Sequence, residues 1–190
     1  MKSFWTYDKE TQTVEIDYMF NNKLTGLPAD TKAIIFKKSS HTGWSLFNQP
    51  INKIDLPLNV KCIEFGYSFN QPINEDSLPN SITHLSFCHI FNKPVNTLPS
   101  NITHLTFGFW FNQPVDKLPH SITYLNLSKS MYFSQPINNL PENLTFLELS
   151  VYYKQPINNL PYSLKTLTMA KDYPVENIKL PFGCEVKFEA

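Results

Sequence analysis

Few residues of this chain have the type and spacing that covalent chemistry requires, and the clearest pair is Cys88 followed by His89. A cysteine nucleophile needs a base oriented by a third group and a place for substrate, and the sequence indicates neither. Glycine-rich phosphate loops, Gly-x-Ser-x-Gly, His-Glu-x-x-His and Cys-x-x-Cys do not occur. His84 and His104 could approach one metal ion, but their segments lack carboxylate or thiolate ligands. The sequence predicts a protein that is not an enzyme and uses no cofactor or metal.

A sequence motif, called the phrase below, recurs along most of the chain: an aromatic residue, Asn-Gln-Pro-Ile, Leu-Pro, then Ile-x-x-Leu-x-Phe. The aromatic anchors follow one another every 20 to 22 residues, at Phe47, Phe69, Phe91, Phe111, Phe133 and Tyr153. A period of this length indicates a stack of like coils, each unable to bury its apolar side chains without its neighbours.

A short segment of alternating apolar and polar residues follows each Leu-Pro pair, which is typical of a strand with one buried face. Eight such segments contain the pairs Ile34/Phe36, Ile63/Phe65, Leu85/Phe87, Leu105/Phe107, Leu125/Leu127, Leu147/Leu149, Leu167/Met169 and Val186/Phe188. Val14/Ile16, ahead of the first Leu-Pro pair, has the same pattern and makes nine predicted strands. Each coil must return in register, so the strands are predicted to be parallel, with aromatic residues and pre-proline leucines in internal columns. The expected fold is all-β: a right-handed solenoid of about nine coils.

Prolines indicate how each coil returns to the next strand. Pairs such as Pro94/Pro99 and Pro114/Pro119 exclude a helix, because proline in a helix interior costs about 3 kcal/mol. We expect extended, proline-rich return segments and little or no helix. The asparagine after each anchor (Asn48, Asn70, Asn92, Asn112) is expected to satisfy turn backbone groups and form a ladder.

Outward-facing strand residues provide the candidate binding surface. One column carries four consecutive rings, and a second column beside it is mostly small and polar. Exposed rings beside hydrogen-bonding groups are typical of protein contact surfaces, although the rings could instead serve only to shield the sheet. Trp44, in an insertion at residues 37–46, is a further possible contact. The predicted partner-binding residues are His84, His104, Tyr124, Phe146, Ser86, Thr106, Asn126 and Glu148.

Composition limits the classes of partner. The chain has 190 residues, with 16 basic and 16 acidic side chains, so no net positive field attracts nucleic acid or anionic lipid. Apolar runs are too short to span a membrane, and the first residues lack the apolar core of a secretion signal. Three irregularly spaced cysteines, Cys62, Cys88 and Cys184, do not indicate a disulfide framework. We therefore expect reduced thiols, a cytoplasmic location and another protein as partner.

The recurring phrase, with copies such as Phe69-Asn70-Gln71-Pro72-Ile73, closely resembles the FNIP repeat family, a variant of the leucine-rich repeat. The resemblance covers about Phe20 to Phe188. It implies an arc-shaped solenoid, a role in protein interaction and a source among social amoebae or their giant viruses, with host cytoplasm as the location if viral. Many members carry an amino-terminal F-box, but the segment before Val14 is too short for that module.

The predicted organisation is a single repeat domain: a hairpin cap at 1–19, repeats at 20–172 and a capping coil at 173–190. The final coil departs from the phrase at Tyr173-Pro174-Val175, and the charges of Glu185, Lys187 and Glu189 are expected to discourage edge-to-edge pairing. The predicted function is a protein-interaction scaffold. A structural component of a giant virus particle, and a substrate-recruiting part of a ubiquitin pathway lacking its own F-box, are the alternatives.

Overall fold

The computed structural model describes residues 4–174 and 178–189; Val175 of the final coil lies outside them. One ten-stranded sheet follows the order of the chain. Strand β1 pairs antiparallel with β2, and β2 to β10 run parallel. The strands are β1 (Trp5–Asp8), β2 (Thr13–Ile16), β3 (Ala33–Phe36), β4 (Cys62–Glu64), β5 (His84–Ser86), β6 (His104–Thr106), β7 (Tyr124–Leu127), β8 (Phe146–Leu149), β9 (Thr166–Ala170) and β10 (Glu185–Glu189).

Alternation along each strand produces the two faces of the sheet. Strands β2, β3, β7 and β8 alternate half-buried and buried residues, so one face lies on the core and the other faces outward. The register places Leu85 beside Leu105 and Leu105 beside Leu125. This confirms the predicted parallel-sheet solenoid, with nine parallel strands among the described residues.

Two phenylalanine columns fill the interior. Anchor rings stack almost parallel at 5.9 to 6.3 Å between centroids from Phe47 to Phe69, Phe91 and Phe111. The post-strand rings form the second column, with Phe87 and Phe107 5.7 Å apart. The columns interlock, because Phe107 lies 3.6 Å from Phe111. Burying each such ring contributes about 1.5–3 kcal/mol, and both predicted columns are confirmed.

The return segments contain no helix among the described residues apart from a single 3-10 turn at Lys53–Asp55. After each Leu-Pro pair the proline carbonyl accepts a hydrogen bond from the N–H three residues later, as in Pro79 with Ile82 and Pro99 with Ile102. These turns direct the chain into the next strand. The proline-rich composition therefore positions a turn as well as preventing a helix.

An asparagine ladder fixes the register of the anchors. The N–H of Asn70 donates to Asn48 Oδ1 at 2.9 Å, and that of Asn92 to Asn70 Oδ1 at 2.9 Å. The next step, from Asn112 to Asn92 Oδ1, measures 3.0 Å. Gln113 Nε2 also donates to Asn92 Oδ1 at 3.0 Å. Each asparagine thus satisfies backbone of the following coil, as the sequence predicts.

The two ends of the sheet differ. At the first end β1 covers β2, and Phe4 lies against Phe20 at 5.8 Å. At the other end the column of pre-proline leucines breaks: Leu160 is 7% exposed, whereas Leu180 is 44% exposed. The prediction that Leu180 is buried with the other leucines is wrong, because no later coil covers it among the described residues.

Within residues 4–174 and 178–189, no helix has the length and apolar character needed to cross a membrane.

Candidate functional site

Four rings form a continuous stack on the outward face of β5 to β8. His84 lies 4.2 Å from His104, His104 lies 5.3 Å from Tyr124, and Tyr124 lies 4.6 Å from Phe146, between ring centroids. Their parallel register follows from the strand pairing. His84 is exposed and the other three are half-buried. The structure therefore brings together all four predicted ring residues on an accessible face.

The two imidazoles are held by the threonines that precede them. Thr83 Oγ1 lies 2.9 Å from His84 Nδ1, and Thr103 Oγ1 lies 2.9 Å from His104 Nδ1. Burial, together with the neighbouring His84, lowers the pKa of His104 below its usual value. The lowered pKa favours the uncharged imidazole of His104, whose ring lies between those of His84 and Tyr124.

The polar column beside the rings has a free half and a bonded half. Neither Ser86 Oγ nor Thr106 Oγ1 makes a hydrogen bond to the described protein, and both residues are half-buried. Asn126 instead donates from Nδ2 to Tyr124 Oη at 3.2 Å and to the Glu148 carboxylate. Burial and the nearby Glu189 raise the pKa of Glu148. Free hydroxyls thus lie beside His84 and His104, and a fixed polar network lies beside Tyr124 and Phe146.

A second ring stack lies at the loops that follow the strands, and sequence reasoning identified only its first member, Trp44. Trp44 stacks on Tyr67 at 5.5 Å, Tyr67 on His89 at 4.4 Å, and His89 on Phe109 at 4.7 Å. We call these four residues the loop-edge stack. Three of them occur two residues before an anchor phenylalanine, a spacing visible in the sequence.

The loop-edge stack also explains the Cys88-His89 pair. The His89 ring lies between two aromatic rings, and burial lowers its pKa. No hydrogen bond joins its imidazole to the Cys88 thiol. This arrangement gives His89 a packing role and provides no base for a thiol nucleophile.

Close backbone contacts position these loops. A Cβ at Gly108 would collide with the Cys88 carbonyl group, and a Cβ at Gly66 would collide with the Ser45 side chain. Glycine is therefore required at both positions for the loop to approach the preceding coil. The close approach lets each loop stack its ring on the ring of the coil before it.

A groove of about 490 Å³ runs between the loop-edge stack and the strand face. Its lining includes Trp44 and Phe109 on one side and Ser86 and Thr106 on the other. Trp44 is 54% exposed, so the insertion at residues 37–46 presents this ring to solvent at one end of the groove. The predicted residues and the rings missed from sequence therefore border one continuous surface.

Stacking determines what this surface can recognise. The inner rings of each stack have a neighbouring ring on both faces, so their accessible parts are ring edges. Ring edges carry partial positive charge and attract carbonyl oxygens and the faces of other rings. Across residues 4–174 and 178–189, no three His, Cys, Asp or Glu side chains form a group suited to a metal ion. The geometry therefore suits contact with another macromolecule.

Comparisons with known proteins agree with this architecture. A family model described as FNIP Repeat matches residues 47–89, 91–130 and 133–172. The crystal structure of CroV588, from a giant virus and described as "a novel circular LRR protein structure", aligns with a TM-score of 0.78 and 36% sequence identity. The alignment covers 92% of this chain but only 26% of that chain. No curated protein matches the sequence.

Proposed function

This chain belongs to the FNIP repeat family, and on that basis we propose that it is a non-enzymatic scaffold that binds another protein. The observation that carries the proposal is the accessible four-ring stack at His84, His104, Tyr124 and Phe146 beside the free hydroxyls of Ser86 and Thr106. Rings flanked by hydrogen-bonding groups are enriched where proteins bind one another.

Rigidity supports this use of the strand face. Each ring is fixed by stacking and by strand pairing, and both imidazoles are also held by threonines. Few side-chain rotamers therefore need to be ordered when a partner binds, which reduces the entropic cost of association. The second polar column supplies Asn126 and Glu148 beside the far end of the ring stack, where an acceptor group is available to a partner's donors.

Partner chemistry follows from the ring edges. A partner that places backbone carbonyls or aromatic faces over this stack gains favourable electrostatic contact. A cationic nucleic-acid interface is not supported, because acidic and basic side chains are equal in number, at 16 each. The groove beside Trp44 extends the same surface, so one partner can contact the strand face and the loop edge together.

The test replaces His84, His104, Tyr124 and Phe146 together with serine and measures partner capture from amoebal lysate by quantitative mass spectrometry. A matched control replaces Leu58, His120 and Tyr162 with serine, since these are exposed on the return side. We expect the first variant to lose specific partners that the wild type and the control retain, with circular dichroism showing both variants folded. Equal capture by all three proteins contradicts a role for the strand face.

A second candidate function is a structural component of a virus particle. It is supported by the similarity to CroV588, a giant-virus protein of which this chain spans about a quarter of the length. Mass spectrometry of purified particles is the test: high copy number supports this candidate, and absence from the particles excludes it.

A further inference from the structure

The outer edge of β10 offers backbone hydrogen-bonding groups to another strand. On its inner edge β10 pairs with β9, where the Glu185 N–H donates to the Lys165 carbonyl and the Glu189 carbonyl accepts from the Lys171 N–H. Backbone groups alternate between the two edges along a strand, so those of Val186 and Phe188 point away from β9, toward the unpaired edge. Among residues 4–174 and 178–189, no strand pairs with this edge.

The core is open at the same edge. Phe188 is 52% exposed, whereas Met169, which pairs with it in β9, is 1% exposed. Leu180 is likewise 44% exposed, against 7% for Leu160 in the preceding coil. Two internal columns thus end in accessible apolar side chains, and an adjacent strand with its own coil would bury them.

We propose that β10 is a homodimerisation strand that pairs antiparallel with β10 of a second copy about a two-fold axis through Val186. In this register Val186 lies opposite Val186 of the second copy, and Cys184 lies opposite Phe188. The N–H and carbonyl of Val186, which point away from β9, then meet those of Val186 in the second copy, as an antiparallel hydrogen-bonded pair requires. The Phe188 N–H meets the Cys184 carbonyl, while the Cys184 N–H keeps its bond to the Pro181 carbonyl. The open core columns of the two copies come together across the axis, forming one continuous sheet.

Charge pattern selects this register. With Val186 on the axis, Glu185 of each copy lies opposite Lys187 of the other, giving two symmetry-related ion pairs on the outward face. A register centred on Lys187 would instead place lysine against lysine and Glu185 against Glu189, which is unfavourable. In one copy alone Glu185 and Lys187 make only a 3.8 Å contact, with both side chains more than half exposed. The charged side chains that were expected to discourage edge-to-edge pairing therefore favour this one register over the other.

The other end of the sheet fits a second copy less well. In β1, Trp5 and Tyr7 are half-buried, so this end exposes less of its core-side rings. Asp8 already accepts hydrogen bonds from the N–H groups of Glu10 and Thr11. A contact between β10 and β1 would also be head-to-tail and would extend beyond two copies unless it closed a ring, whereas tail-to-tail pairing stops at a dimer.

The experiment is sedimentation equilibrium of the 190-residue chain and of charge variants at β10. We expect the wild type to form a dimer, and Glu185→Lys or Lys187→Glu alone to raise its Kd at least about tenfold, because like charges then face each other across the axis. The double variant Glu185→Lys/Lys187→Glu restores opposite pairs and is expected to recover the dimer. An equimolar mixture of the two single variants is expected to form the heterodimer in preference to either homodimer.

The control is Glu142→Lys, an exposed charge change away from the edge, which should leave dimerisation unchanged. A wild type that stays monomeric at every concentration, or assembles beyond a dimer, overturns the proposal. So does a heterodimer no tighter than the single-variant homodimers. These outcomes are independent of the partner-capture experiment, since the strand-face rings are not altered here.

Discussion

The buried anchor column and the exposed strand-face stack use the same geometry for different purposes. Phe91 and Phe111 stack 6.3 Å apart, and His104 and Tyr124 stack 5.3 Å apart, both in register with the coil repeat. Phe91 and Phe111 are fully buried, whereas His104 and Tyr124 are half-buried. We therefore expect burial, more than stacking itself, to set how much each ring contributes to the free energy of unfolding. The exposed stack leaves ring edges available at little cost in folding free energy.

The largest expected effect comes from breaking the buried column. Phe111→Ala removes a ring that is 0% exposed and contacts Phe107 at 3.6 Å. We expect the free energy of unfolding to fall by about 3–5 kcal/mol, because the ring's transfer free energy is lost and a cavity is left in the core. Urea denaturation followed by circular dichroism measures the change.

The matched variant for Phe111→Ala is Tyr124→Ala, which removes a ring of the exposed stack. Tyr124 has two stacked neighbours, and each pair is worth about 0.2–1 kcal/mol. A loss from Tyr124→Ala as large as that from Phe111→Ala would show that the two columns do not differ as proposed.

A smaller effect is expected from the ladder that keeps the anchors in register. Asn92→Ala leaves the N–H of Asn112 and the amide of Gln113 without their shared acceptor. We expect a loss of about 1–3 kcal/mol, the cost of an unsatisfied polar group in a partly buried place. Denaturant titration is again the measurement. Asn96→Ala, at an exposed position, is expected to change stability by less than about 0.5 kcal/mol, and equal losses would contradict the ladder's role.

The smallest expected effect is the pH dependence that His104 of the exposed stack contributes to stability. Because the pKa of His104 is lowered in the folded protein, the unfolded chain takes up this proton first as the pH falls. Its contribution to stability is complete above the usual histidine pKa of about 6.5 and is lost as the pH falls from there through the folded-state pKa.

The measurement for this pH effect is the difference in unfolding free energy between wild type and His104→Gln. His89 shifts in the same direction, and Glu148, whose pKa is raised, changes stability in the opposite sense. Subtracting the variant removes both contributions, because they are common to the two proteins. A difference that does not change with pH would contradict a lowered pKa of His104 in the folded protein.

Periodic features of the fold were predictable from the sequence. Alternation at positions such as Leu105 and Phe107 fixes which face is buried, and a period of 20 to 22 residues fixes which side chains overlie one another. The asparagine ladder followed for the same reason, since identical side chains in register meet the same backbone group on every coil. Position, polarity and repeat length together determine these contacts.

The loop-edge stack was not predicted beyond Trp44, because its members change type from coil to coil. Tyr67, His89 and Phe109 show no common residue, and their contact depends on the loop path that Gly66 and Gly108 permit. The exposure of Leu180 was missed for a related reason. Sequence similarity identifies a column position, but burial there depends on a neighbouring coil, which the repeat itself does not specify.

The asparagine ladder has a consequence for how such chains change in length. Each coil receives from its predecessor the contact that it gives to its successor. Excising residues 92–111 would join Phe91 directly to Asn112 and recreate the phrase without a mismatched contact. Losing a single strand residue would instead turn every later side chain of that strand to the opposite face. Duplication or loss of whole periods by recombination is therefore far better tolerated than a one-residue deletion.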